Sequence, residues 1–373
     1  MHFAYDTDQD DFRSSLRRFL ADKAPLSAVR TAAESERGYD ADLWKQMSTQ
    51  LGLPGLHLPE EHGGSGTGLL EPAIVMEETG RALTASPYAA CLLASLAVLR
   101  YGTSEAQAEL LPGIAAGDTI ATLAMTEPAS AAGVAGLRTT ALSRGDDVTL
   151  TGVKTLVEHG HTADVLLVSA TGGDGGTRLY VVRGDAAGLT RTRLQALDLT
   201  RPVAEVRLDA TPAVPLGEVA DLAPLVDLWC TLLAAEMVGG TAACLDMAVA
   251  YAKDRHQFNR PIGSFQAVKH RCAEMLVALD GARAAAQYAA FAADQAFTSG
   301  QDGPELETVA PLAKAEASEA YTFAAGWTIQ VLGGIGFTWE QDAHLYFRRA
   351  WADSALLGTP AAQRARLADR LGL

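Results

Sequence analysis

Three stretches of the chain gather residue types that could handle an anionic or redox-active ligand. In "DRHQFNRPIGSFQAVKH" (254–270), Arg255, Arg260 and the ring of Phe258 interrupt a long helical pattern. In "QVLGGIGFTWEQDAHLYFRRA" (330–350), a G-G-x-G run sits between helices, so backbone amides there could approach a phosphate closely. "AMTEPASAAG" (124–133) is a loop of small and polar residues. Taken singly, each has an ordinary reading: a charged helical corner, a glycine turn and a surface loop. The four cysteines (Cys91, Cys230, Cys244, Cys272) contain no C-x-x-C pair and lie mostly in apolar, helix-like contexts. They read as reduced, buried thiols rather than metal ligands.

The elements that must position these stretches change type along the chain. Residues 8–22 place Phe12, Leu16, Phe19 and Leu20 on one helical face behind acidic residues. Helical patterns continue through "LWKQMSTQLGL", "LLEPAIVMEETGRAL" and "SEAQAELLPGIAAG", with a glycine-rich loop at 59–68. Short apolar or alternating runs then follow at 147–152, 164–170, 178–184 and 203–209, separated by turn-rich pieces, which predicts antiparallel strands and hairpins. Long helical periods return at 226–254, 264–299 and 305–333, with a last helix near 341–357. The expectation is an α+β chain in three parts: helices over 1–117, a small β domain over 118–224 and a helical bundle over 225–373.

Bulk properties narrow the partners. With 373 residues the chain can bury a sizeable core. Its 45 acidic against 30 basic side chains give a net charge of −15, which disfavours nucleic acid or an anionic membrane surface. The apolar run at 91–99 is too short to span a bilayer, and the one around 232–250 carries Glu236 and Asp246. The acidic amino terminus does not read as a secretory signal, and the expected compartment is the cytoplasm.

In this order and spacing, "LPEEHGG" (58–64), "MEETGRA" (76–82), "GTSEAQ" (102–107), "TEP" (126–128), "RHQFNRPIGSFQAVKH" (255–270) and "QVLGGIGF" (330–337) resemble the acyl-CoA dehydrogenase family over nearly the whole chain. The resemblance implies a helix–β–helix fold, a tetramer, and FAD at a subunit interface. It also implies α,β-dehydrogenation of an acyl-CoA thioester, with a carboxylate taking the α-proton and hydride passing to the flavin. Electrons would then usually pass to an electron-transfer flavoprotein.

Carried over residue by residue, the half of the flavin site donated to a neighbouring subunit is intact. Arg255 matches the arginine that reaches the neighbour's pyrophosphate. Phe258 and Gln266 match positions near the adenine, and Gln330, Gly333, Gly334 and Gly336 match the strip along the cofactor. Asn259 replaces a usual glycine. The half that receives the flavin is eroded. Thr126 remains and could bond the ring, and Gly358 and Thr359 keep the family's Gly-Thr. The Gly-Ser-Asp after "TEP" has become Ala131-Ala132-Gly133, Leu156 replaces the stacking aromatic, and Glu158 replaces a hydroxyl beside the ring.

Leu357 stands where the family's glutamate base precedes Gly-Thr. Trp229 stands at the alternative location of the base, followed by Cys230 where many relatives have arginine. Weak substitutes are Glu158 facing the ring, His159 in a turn that would ordinarily be solvated, and Glu236. His161 and His344 are still weaker. The asymmetry fits the non-basic subunit of a heteromer, in which a homologous subunit carries the glutamate and the acyl pocket. "GGIGFTWEQDAHLYFRRA" resembles the actinobacterial enzymes built this way, which shorten bulky sterol-type side chains. The alternatives are a homomeric dehydrogenase with an unusual base, another kind of flavin protein, or a flavin-free structural homologue.

Overall fold

The computed structural model describes residues 5–128, 137–145, 147–218, 221–301 and 303–373. Ala131–Gly133, the eroded Gly-Ser-Asp position, therefore lies outside the described residues. Six helices come first: α1 (Thr7–Lys23), α2 (Leu26–Glu34), α3 (Ala41–Thr49), α4 (Leu70–Ala82), α5 (Tyr88–Tyr101) and α6 (Ser104–Ala115). Asp6 starts α1 with a reciprocal capping box to Gln9, satisfying two of the end groups a helix leaves open. Of the amphipathic face read from the sequence, Leu16 and Leu20 are buried, while Phe12 and Phe19 pack partly exposed against the core.

Seven strands follow: β1 (Ala121–Ala124), β2 (Thr140–Arg144), β3 (Asp147–Glu158), β4 (Val165–Thr171), β5 (Thr177–Arg183), β6 (Leu189–Arg193) and β7 (Val203–Pro215). The path β4-β2-β3-β7-β5 closes on itself through a β4–β5 pairing, with β1 beside β4 and β6 beside β7. The antiparallel expectation needs one correction: β1 and β2 each pair β4 in parallel. Parallel neighbours are joined through long connections rather than hairpin turns, so no local turn signal announces them. Inside this unit Lys154 and Glu127 form a fully buried ion pair at 2.7 Å. Thr139 Oγ1 and the backbone amides of Arg138 and Thr139 also donate to Glu127. Burial opposes the charge, but these donors hold the Glu127 carboxyl well below the usual range. The "TEP" turn is thereby tied to β3.

The remainder is α7 (Ala223–Asp254), a two-residue ladder of β8 (His256–Gln257) with β9 (Arg260–Pro261), α8 (Gln266–Ser299), α9 (Pro304–Leu332), a 3₁₀ turn (Gly333–Phe337), α10 (Ala343–Ala355) and α11 (Pro360–Leu371). The last helix lies beyond the sequence expectation because it is strongly polar; Thr359 caps it and Pro360 occupies its first turn. Arg366 and Arg370 pin it to the buried Asp227 of α7, each at 2.8 Å. Among the described residues, α7 is long and apolar enough to cross a membrane, yet 94% of its most apolar window is buried inside the protein.

Contact between α4 and α7 is made at backbone level. A Cβ on Gly239 would stand 1.8 Å from the carbonyl oxygen of Glu77, and one on Gly80 2.2 Å from that of Glu236. Glycine is required here by close approach, and this crossing fixes where Glu236 can reach. Gly239→Ala is expected to lower the urea midpoint by the equivalent of about 1–3 kcal/mol or more, since the rigid carbonyl opposite cannot yield. Equilibrium unfolding of the wild type and variant checks it.

Candidate flavin and acyl site

The donated strip is on the surface. Where α7 ends, Arg255 is exposed and has no ion-pair partner among the described residues. The hairpin after it turns through Phe258 and Asn259 at φ +53° and +60°. This left-handed pair suits a two-residue hairpin; asparagine tolerates it far better than phenylalanine. Phe258 ends up 86% exposed at the tip, above Phe265, on which Arg260 stacks at 4.0 Å. Gln266 opens α8, whose first turn has no side-chain cap, so its amides face outward.

Gln330, Gly333 and Gly334 are exposed together where α9 ends. Gly333 needs its glycine for a φ of +65°. Gly334 has open space within 4 Å of a would-be Cβ, so the fold of this chain gives no reason for glycine there. Exposed glycines and an arginine with no ion-pair partner among the described residues fit the close approach of a group carrying a diphosphate. Gly336 is a correction to the strip: it is buried, and its Cβ would meet the Ile329 carbonyl oxygen at 2.8 Å, so packing explains it.

The receiving side is different. Leu156 lies in a bulge of β3 at φ +54°, half exposed. Two residues on, Glu158 does not face outward toward a ring position. It turns inward with its carboxylate 3.7 Å from Arg201, a residue the sequence reading missed. Arg201 also bonds Asp353 at 2.6 Å and Glu236. Arg349 bonds Glu236 as well, lies 2.5 Å from Asp198, and donates to Thr200 Oγ1 at 2.6 Å. Two guanidinium groups and four carboxylates thus lie together out of water, joining the end of β3 and the loop before β7 to α7 and α10.

Two of the three substitute bases, Glu158 and Glu236, are consumed by this one cluster. The third, His159, is buried rather than solvated, and burial lowers its pKa to about 3. His161 sits against the Glu36 carbonyl, and His344 stacks on Trp339 beside Arg30. Neither of these two joins the cluster.

The Gly-Thr segment is built for packing. Leu357 is buried in the main core at φ +60°, with its carbonyl accepting from Gln363 Nε2 at 2.5 Å. The buried Lys314 ammonium bonds Ser318 and reaches the Gly358 carbonyl at 3.5 Å. Burial pushes the Lys314 pKa down, against Cys230 and Asp353. The Thr359 hydroxyl accepts from the Ala362 amide as a helix cap. Trp229 is partly buried against the core, and Cys230 is fully buried. Thr126 is half-buried, and its carbonyl accepts from the Thr155 amide at 2.9 Å. The cavity left between α4, α5 and the charge cluster measures only about 20 Å³. A carboxylate in this region has its arginine, and an acyl chain has no room. Among the described residues no cluster of metal-ligating side chains forms.

Fold and site together define a three-domain flavin-dependent dehydrogenase whose flavin surfaces have diverged. Family models for the acyl-CoA dehydrogenase N-terminal, middle and C-terminal domains match residues 6–118, 122–210 and 231–372, and the chain belongs to that family of FAD-dependent, CH–CH-oxidising enzymes. It is 35% identical to acyl-CoA dehydrogenase IpdE2 of Mycolicibacterium smegmatis, over 95% of this chain and 96% of that protein. Among solved structures it is similar to a variant of the Tcur3481–Tcur3483 steroid ACAD, with TM-score 0.88, 34% identity and 98% of each chain covered. It is also similar to the ChsE4–ChsE5 complex of Mycobacterium tuberculosis, with TM-score 0.91, 27% identity and 100% and 99% of the two chains covered.

Two outcomes follow from the cluster. Burial raises the Asp353 pKa to about 7, opposed by Arg201. The unfolded chain loses this proton near pH 4, so between pH 4 and 7 the folded state binds more protons, and stability falls as pH rises. Asp353→Asn is expected to remove a slope of up to about 1.4 kcal/mol per pH unit, read by comparing unfolding free energies of the two proteins across that range. Arg201→Met leaves the carboxylates without their main partner and is expected to cost about 3–5 kcal/mol in denaturant unfolding.

Proposed function

We propose that this chain is the subunit of a heteromeric acyl-CoA dehydrogenase that has no base of its own and completes, across the interface, the FAD site of a homologous partner bearing the carboxylate. One observation carries the reading: Arg255, Gln330, Gly333 and Gly334 are exposed, whereas the substitute carboxylates Glu158 and Glu236 are turned inward and taken up by Arg201 and Arg349. Arg255 would neutralise the diphosphate, and the Phe258 and Gln266 corner would meet the adenine. Gln330, Gly333 and Gly334 would lie along the cofactor with their backbone. Thr126 and Thr359, although they match the family's pattern, would bind nothing here: the first sits beside a bulge without an aromatic and the second caps α11. FAD, held in the partner, supplies the hydride acceptor.

The acyl group would be a CoA thioester carrying a bulky sterol-type chain. Support comes from the similarity to a steroid ACAD and from a complex of two differently named chains. Lipid catabolism in the cytoplasm, with electrons leaving to an electron-transfer flavoprotein, completes the proposal. Four free thiols are in keeping with that compartment.

The deciding experiment is native mass with FAD per chain, on protein isolated from its own host. A mixed tetramer with one FAD per two chains is expected. A homotetramer with one FAD per chain that dehydrogenates an acyl-CoA would overturn the proposal. In the mixed enzyme, Arg255→Gln should weaken FAD retention roughly 10- to 100-fold, the worth of a charge-assisted contact of about 1.5–3 kcal/mol, without changing the unfolding of this chain. Leu357→Glu should create no activity in the chain alone, because the position is buried in the core next to the segment that Lys314 reaches. Acyl-CoA oxidation assays on both variants read these outcomes.

A further inference from the structure

Three buried polar atoms have no hydrogen-bond partner and line one cavity: Thr84 Oγ1, Tyr88 Oη and His159 Nδ1. Their residues are 8%, 2% and 1% exposed. They come from three elements: Thr84 from the turn after α4, Tyr88 from the first position of α5, and His159 from just beyond β3. Thr84 and His159 are each held in place independently. The Thr84 amide bonds the Thr79 carbonyl, and the His159 amide bonds that of Pro202. The His159 ring packs edge-on against Tyr39 at 5.6 Å. Three orphans on one wall are unlike chance, since buried polar groups are almost always satisfied. The cavity also borders Glu158, Thr200, Arg201, Glu236 and Arg349.

Its size selects the ligand. A void of about 20 Å³ takes one water molecule, which needs roughly 10–15 Å³ and two to four polar partners. A bare anion would face a cluster with more carboxylates than guanidinium groups. His159 is neutral, with one ring nitrogen donating and the other accepting, and both hydroxyls can do either.

We infer that this cavity is a binding site for a single resident water, bridging Thr84 Oγ1, Tyr88 Oη and His159 Nδ1 on the outer face of the Arg201–Glu158–Glu236 cluster. The water closes the hydrogen-bond account of the chamber wall. It joins the turn after α4 to the end of β3, beside the bond between the His159 ring and the Ser86 backbone.

The direct test is a crystal structure of the full chain at a resolution that orders solvent. A full-occupancy water peak within hydrogen-bond distance of all three atoms is expected. An empty cavity, or rotamers in which the three groups bond one another, would overturn the inference. Thr84→Val, Tyr88→Phe and the double variant give a solution readout. With a bridging water, each single change lowers Tm by about 1–3 °C, because the water loses a partner. The double change then costs less than the sum of the two. Dry orphans predict the opposite sign: removing a hydroxyl buried without a partner leaves Tm unchanged or raises it. A Tm that rises in ammonium chloride over equal sodium chloride would show a cation in the cavity and also refute the water. None of these outcomes depends on subunit composition, so this inference and the heteromer stand or fall separately.

Discussion

Arg201 is the group on which the interior of this protein depends. Its guanidinium is out of water and touches carboxylates from the β domain, from α7 and from α10. Taking such a charge from water costs several kcal/mol, and the attraction of its partners roughly offsets that cost rather than producing a large surplus. What the cluster supplies is geometry. The β domain is held against the helical bundle at one relative position, because any shift would leave a buried charge unpaired. With four carboxylates to two guanidinium groups, burial raises the pKa of Asp353 to about 7 and pushes that of Glu158 up as well.

The cluster and the exposed strip divide the molecule into a closed face and an open one. On the open face, Arg255 has no ion-pair partner among the described residues, and Gly334 has open space around it. On the closed face, Glu158 and Glu236 are turned inward and paired with Arg201 and Arg349. An isologous dimer presents both faces twice, and a gene pair can relax each face in one copy without losing the remaining site. A leucine in a left-handed backbone at position 357, where the surrounding core over-determines an unfavourable conformation, is in keeping with a segment that keeps its old path after losing its old side chain.

Much of this was legible in the chain. The three-part order of elements and the long helices follow from periodicity and glycine placement, which act locally, and the six motif stretches carry the family resemblance. Leu357, Trp229 and the intact Arg255–Gln330 strip could be read by position alone. The orientation of side chains could not. Glu158 was expected to face a flavin and His159 to sit in solvent, but both face inward, and a strand end flanked by a bulge gives no sequence cue for which way its last residues turn. Gly336 looked like its neighbours in the strip, yet serves internal packing.

The sequence by itself determined the family and the element order, and it places Leu357 and Trp229 where the resemblance expects the base. Only the tertiary structure decided what occupies the chamber. Arg201, Glu236, Arg349 and Asp353 are far apart along the chain and carry no shared local pattern. Their meeting follows from the glycine-spaced crossing of α4 and α7 and from the docking of α10, both of which are non-local. A buried charge cluster is a property of packing, because only proximity in a water-poor interior turns six ordinary ionisable residues into one unit.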